Sequence, residues 1–247
     1  MANFLRHLEI GTLASGVLST ASLGSGLITP EEAIVLWITG SLGGILPDID
    51  SDTASALDIV FNIITLCFII ATFYLLHTNY PTLLLWGVSI FIYGVMKLLA
   101  RPMFEAVTAH RGIFHSIASG LFFAFTAVNI AFYLGKQSEL LSWLIGSFLL
   151  FGYITHLFLD ELYSVDFANT RIKRSFGSAL KLFDYKNIKI SALMLVAVII
   201  CYNFTPKSTI FIQTVTSRQT FDRVKESFFP SWKDLSIDSL IPKHNSR

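Results

Sequence analysis

From Leu57 to Leu76 the chain runs for about twenty residues with no charge after Asp58. At ~1.5 Å per residue a helix of that length is about as long as the ~30 Å hydrocarbon core of a bilayer is thick. Lipid offers no hydrogen-bond partner, so a crossing segment must satisfy its own backbone. This stretch therefore constrains the chain more than any other, and similar ones follow it. Leu83–Leu99 crosses back, with Lys97 near its end able to snorkel and Arg101-Pro102 closing it. Ile113–Leu134, Leu140–Leu159 and Ile188–Phe204 complete the long runs. Two short turns, His77–Pro81 and Gly135–Glu139, reverse the direction.

Composition agrees. The 247 residues are 53% hydrophobic and 14% charged, with 22 Phe and a mean hydropathy of +0.62. That places the chain outside ordinary soluble domains and in the membrane class. A net charge of +1, with no Lys/Arg run interleaved with aromatics, gives no reason to expect nucleic acid as a partner. Cys67 and Cys201 both lie inside apolar runs and read as small buried hydrophobes.

Two further helices precede the long runs. The N-terminal stretch combines Arg6, His7 and Glu9 with a Gly/Ser/Ala-rich segment. It reads as a first helix packed through small residues rather than as a cleavable leader. Thr29-Pro30-Glu31-Glu32 supplies a capping hydroxyl, a first-turn proline and first-turn acids for a second helix, Ala33–Leu46. The expected fold is an all-α, polytopic membrane helix bundle of about seven transmembrane helices. Residues 1–165 form its functional domain, 166–204 a basic connection and last span, and 205–247 a polar C-terminal tail.

Polar chemistry is confined to the ends of these runs. It stands at His7, at Leu46-Pro47-Asp48-Ile49-Asp50, at His110-Arg111-Gly112-Ile113-Phe114-His115-Ser116, and at His156-Leu157-Phe158-Leu159-Asp160. Counting crossings puts all four groups on one side of the membrane. That side also carries Arg6, Arg101, Arg111, Arg171, Lys173, Arg174, Lys181 and Lys186 in its short segments, against Lys136 opposite. The positive-inside rule makes it cytoplasmic.

His156 and Asp160 are spaced i, i+4 and would share one helix face, a spacing that suits two ligands of one metal or a structural pair. Asp48 and Asp50 flank one residue after a proline, so an extended backbone would point both carboxylates the same way. One could be a ligand and the other a base. His110 and His115 are five apart, with Gly112 permitting a bend between them. Arg111 offers a planar fork suited to phosphate or carboxylate. Histidine and aspartate donors without cysteine favour Zn, with Mn or Fe next, in a site of one to three ions.

A histidine before a small-residue helix, then LPDID, then HRGIFHS, then GYITHLFLDEL, resembles the YdjM-like family of bacterial inner-membrane, metal-dependent hydrolases over roughly residues 1–165. More distantly it is similar to zinc-dependent phospholipase C and single-strand nucleases, whose ions are held by His and Asp and include a His-x-x-x-Asp pair. His156 and Asp160 fit such a pair, the one found in this chain. The resemblance implies His7, Asp48, His110, His115, His156 and Asp160 as metal ligands, with Asp50 as ligand or base. The expected activity is hydrolysis of a phosphoester, or a related bond, in a lipid or lipid-linked substrate, with Arg111 holding its charge. A di-iron lipid oxidase or hydroxylase, and a non-enzymatic metal transporter, are the alternatives.

Overall fold

A computed structural model describes residues 4–50, 54–103, 113–166, 171–172 and 180–228. It is helical apart from a two-residue antiparallel pairing of Val165–Asp166 with Arg171–Ile172. The chain folds as α1 (Phe4–Gly24), α2 (Pro30–Gly43), a 3-10 turn (Leu46–Asp50), α3 (Ala54–Leu76) and α4 (Thr82–Met103). Then come α5 (Ile117–Leu134), α6 (Glu139–Ser164), α7 (Ile188–Asn203), α8 (Thr209–Thr216) and α9 (Arg218–Phe228). Among the described residues, three helices are long and apolar enough to cross a membrane: Thr82–Met103, Ile117–Leu134 and Glu139–Tyr163. Phe61–Leu76 and Ile188–Asn203 are apolar but shorter.

The central helix is α6, which packs against α1, α2 and α5. Its approach to α2 is made backbone to backbone. A Cβ on Gly152 would collide with the Gly40 carbonyl oxygen, and one on Gly43 with the Leu149 carbonyl oxygen. Only glycine permits so close a crossing. Small residues also line the α1–α2 contact, where a Cβ on Gly11 would come to 3.3 Å from the Gly44 Cα. At one end of the bundle Ile28, Ala33, Leu36, Leu141, Leu144 and Phe148 form an apolar cluster; toward the other, Leu46, Leu149, Tyr153 and Leu157 form a second. The pair α3–α4 stands outermost, and α4 is the least enclosed of the long helices.

Local sequence explains the helix starts. Thr29 accepts from the Glu32 amide while the Glu32 carboxylate accepts from the Thr29 amide, a reciprocal capping box ahead of Pro30. Glu31 is fully exposed, and its carboxyl is held below the usual range by a hydrogen bond from its own backbone amide and by Thr29.

Four expectations change. The segment Leu46–Asp50 is a 3-10 turn rather than extended, so the alternation of an extended backbone, on which the parallel reading of Asp48 and Asp50 rested, is not there. Pro102 and Met103 are still helical, so the described part of α4 runs past the Arg101-Pro102 pair expected to close it. The turn before Pro102, Met96–Ala100, widens to π-helical form, which relieves the clash a proline ring makes with the carbonyl four residues earlier. Cys67 is exposed on α3 rather than buried, because α3 faces outward along much of its length. The segment after 205 is not a featureless tail, since α8 packs on α6 and α9 on α1. Trp143 donates to the Pro206 carbonyl (3.1 Å), and Phe211 stacks on its ring.

Candidate metal centre

The start of α1, the 3-10 turn after α2, the start of α5 and the end of α6 meet at one end of the bundle. His115 is placed by the turn that precedes α5. There the Ile113 carbonyl accepts from the hydroxyls of Ser116 and Ser119, and the Phe114 carbonyl accepts from the buried Tyr153 hydroxyl. Ser116 caps the helix by accepting from the Ser119 amide. The next free amides, of Ile117 and Ala118, donate to the Lys181 and Leu182 carbonyls. The Ile113 and Phe114 carbonyls and the first amides of α5 thus find partners in this buried place.

His156 lies on α6 and is fully enclosed. Its Nδ1 donates to the Gly44 carbonyl at 2.8 Å. A carbonyl can only accept, so the proton sits on Nδ1 and the lone pair on Nε2 faces the cluster. Asp160, one turn further along α6, presents Oδ2 at 3.9 Å from His156 Nε2 and 3.8 Å from His115 Nε2. Its Oδ1 stands 3.2 Å from His7 Nε2. The His7 ring stacks on that of His156 with centroids 3.7 Å apart. Asp48 closes the group from the 3-10 turn, its Oδ1 at 3.6 Å from His156 Nε2 and 4.0 Å from His115 Nε2. Its side chain is 16% exposed while those of the other four are nearly sealed, so the centre opens at Asp48.

These separations have a chemical meaning. Direct hydrogen bonds between nitrogen and oxygen fall at about 2.7–3.2 Å, and four of the five His–carboxylate distances are longer. Two donors on one tetrahedral zinc, each ~2.0–2.1 Å from the ion, stand about 3.3 Å apart. The four long edges lie just outside that value, as expected for donors converging on a common cation. Two sets of three, His7/His156/Asp160 and Asp48/His115/His156, each bring their donor atoms within 4.8 Å of one another. His7 Nδ1 and His156 Nε2 are buried with no hydrogen-bond partner among the described residues. Burying two carboxylates together is costly unless a positive charge joins them. These residues therefore fit a divalent metal ion.

Of the residues expected from sequence, His7, Asp48, His115, His156 and Asp160 come together. His110 and Arg111 lie outside the described residues. Asp50 is described in its backbone, as the last residue of the 3-10 turn, but its side chain lies outside them. Sequence reasoning missed the orienting groups, namely the Gly44 carbonyl, the Tyr153 hydroxyl and the Ser119 hydroxyl. A backbone carbonyl leaves no sequence signal; Tyr153, three residues before His156 and so on a neighbouring face of α6, left a weak one.

A protein family described as YdjM inner membrane protein matches residues 1–202. The match covers all five gathered donors and nearly the whole bundle through α7. No curated protein and no solved structure matches the chain.

Proposed function

From the premise that this chain belongs to the YdjM inner membrane protein family, we propose that it is a metal-dependent hydrolase of the bacterial inner membrane. Its substrate in this reading is a phosphoester, or related bond, of a lipid or lipid-linked molecule. The observation that carries the proposal is the largely buried group of three imidazoles and two carboxylates at the end of apolar helices, with four of its five His–carboxylate distances longer than hydrogen bonds and near those of donors sharing a cation. Ionisable groups at membrane depth are costly and mark function by default.

In this reading the chain crosses the membrane seven times, with the centre on the cytoplasmic face where Arg6 and Arg101 also lie. The nitrogen and oxygen donors suit Zn, with Mn or Fe next. A divalent ion held there would supply Lewis acidity for a phosphoryl oxygen and a water made acidic, with a pKa near ~7. His115, His156, Asp48 and Asp160 would hold it. His156 Nε2 has one lone pair and serves one ion, so a second ion would need His7, the other oxygen of Asp160, and His110 or Asp50. The Gly44 carbonyl fixes the tautomer and orientation of His156, as partners of ligating histidines do. Asp50 accepts the proton of the attacking water, and Arg111 holds the anionic head group.

Incubation of the purified protein with a phospholipid in mixed micelles should release a phosphate-bearing product. A chelator should abolish the release and added Zn²⁺ or Mn²⁺ restore it. Release that survives both chelation and His156→Ala would refute the reading.

A further inference from the structure

The outermost helix pair carries a polar seam that the metal centre does not use. Along α3, Asp58, Asn62 and Thr65 follow at i, i+4 and i+7; along α4, Tyr93, Lys97 and Arg101 follow at i, i+4 and i+8. The helices run antiparallel, so Arg101 meets Asp58 (2.8 Å) at one end of the seam, while Thr65 and Tyr93 stand at the other. All six line one recess, together with Phe61 and Met96. The seam extends seven residues, about 10 Å, between helices whose other side chains are mostly apolar.

Three features set it apart from cations that merely reach for the water. Lys97, which lines the recess, extends back along the helix, its Nζ donating to the Tyr93 hydroxyl at 3.1 Å, so the ammonium points away from the Asp58–Arg101 pair. Tyr93 accepts there and keeps its own O–H to donate. Lys97 also lies on the π-helical turn Met96–Ala100, a distortion found often at functional sites. Among the described residues that line the recess, Asp58 is the anion and Lys97 and Arg101 are the cations, with Arg101 paired to Asp58.

The recess borders the metal centre. Phe61 and Met96, which line it, pack in one cluster with Ile45, Ile49, Leu57 and Phe114. Ile49 and Phe114 are the chain neighbours of Asp48 and His115. Outside the recess, Leu66, Ile70, Leu84, Ile90 and Phe91 are exposed on the same two helices, apolar surface on which acyl chains can lie. A cation and hydroxyl donors beside such a surface suit an anionic phosphate group attached to a hydrocarbon chain.

We infer that the α3–α4 recess binds the phosphate-bearing head group of an anionic membrane lipid, through Lys97, Arg101, Asn62 and Tyr93. Its role as the substrate's dock rests on the hydrolase reading; the binding does not.

The test is the association of spin-labelled phosphatidylglycerol, against spin-labelled phosphatidylcholine, with the full chain in phosphatidylcholine nanodiscs, with metal content read on the same samples. Wild type should prefer phosphatidylglycerol. Lys97→Gln/Arg101→Gln should lose that preference, by about fivefold for each effective cation, while Lys97→Arg keeps it. Arg6→Gln, which removes an exposed cation elsewhere, should leave it unchanged. His156→Ala should lose metal yet keep the preference, so failure of the metal reading and failure of this one are separable. If the double variant also loses metal, Lys97→Gln alone decides, because it leaves the Arg101–Asp58 pair intact. Soluble glycerol phosphate should not compete, which identifies the bilayer as the source; competition would instead identify a free phosphate ester and overturn the lipid assignment. An unchanged preference in Lys97→Gln overturns the inference.

Discussion

On the hydrolase reading proposed above, Asp160→Asn should lower phosphoester hydrolysis by about a thousandfold, equivalent to ~4 kcal/mol of transition-state stabilisation. The substitution is nearly isosteric and keeps an acceptor oxygen for His7, which stands 3.2 Å away, so the helix ends should stay in register. What it removes is the negative charge that faces His115 and His156 at 3.8 and 3.9 Å. An amide is a far poorer ligand for a hard divalent cation than a carboxylate, and the centre would keep Asp48 alone as its described anion. Kinetics with saturating Zn²⁺, alongside circular dichroism to show retained helix, checks this. Activity within tenfold of wild type would remove Asp160 from the metal-binding group.

The second large effect is expected far from any ligand atom. Gly152→Ala should prevent α2 and α6 from packing, because the new methyl would meet the Gly40 carbonyl oxygen and also come 2.9 Å from the Gly44 nitrogen. Both are backbone atoms and neither can swing aside. Overpacking of a core costs typically ~1–3 kcal/mol, and this rigid case should sit at or above the upper end. The same displacement would carry the Gly44 carbonyl away from His156 Nδ1, so metal binding should fall with stability. Gly87→Ala and Gly94→Ala are the controls. Nothing lies within 4 Å of a Cβ at either position, so they should be neutral or gain slightly from alanine's helix propensity. Thermal denaturation in detergent, monitored by circular dichroism, distinguishes them.

Much of this architecture was legible in the residues because a membrane simplifies the problem. An apolar run of twenty residues has few options, and the runs at 57–76 and 188–204 match α3 and α7 to within about a turn. The convergence of His7, Asp48, His115, His156 and Asp160 could also be anticipated. Once helices alternate direction, residues at alternate loop ends share a side, and the i, i+4 spacing of His156 and Asp160 puts both on one face.

Other features depend on contacts that sequence spacing does not encode. The 3-10 turn at Asp48 answers to the exit angle from α2. Carrying α4 past Pro102 needs the π turn before it, and propensity alone argues for a stop. The docking of α8 and α9 rests on single meetings such as Trp143 with Pro206 and Phe211. The seam between α3 and α4 was present in the sequence as isolated polar residues, and only the antiparallel register that sets Asp58 against Arg101 makes it one feature.

The most direct test of the metal centre is elemental mass spectrometry of the purified protein in detergent, wild type beside His156→Ala/Asp160→Ala. One or more equivalents of zinc or manganese per chain in wild type, lost in the variant with its helix content unchanged, is the expected result. Wild-type protein that holds no metal, even after reconstitution with Zn²⁺ and Mn²⁺, would contradict it and return the five residues to structural roles.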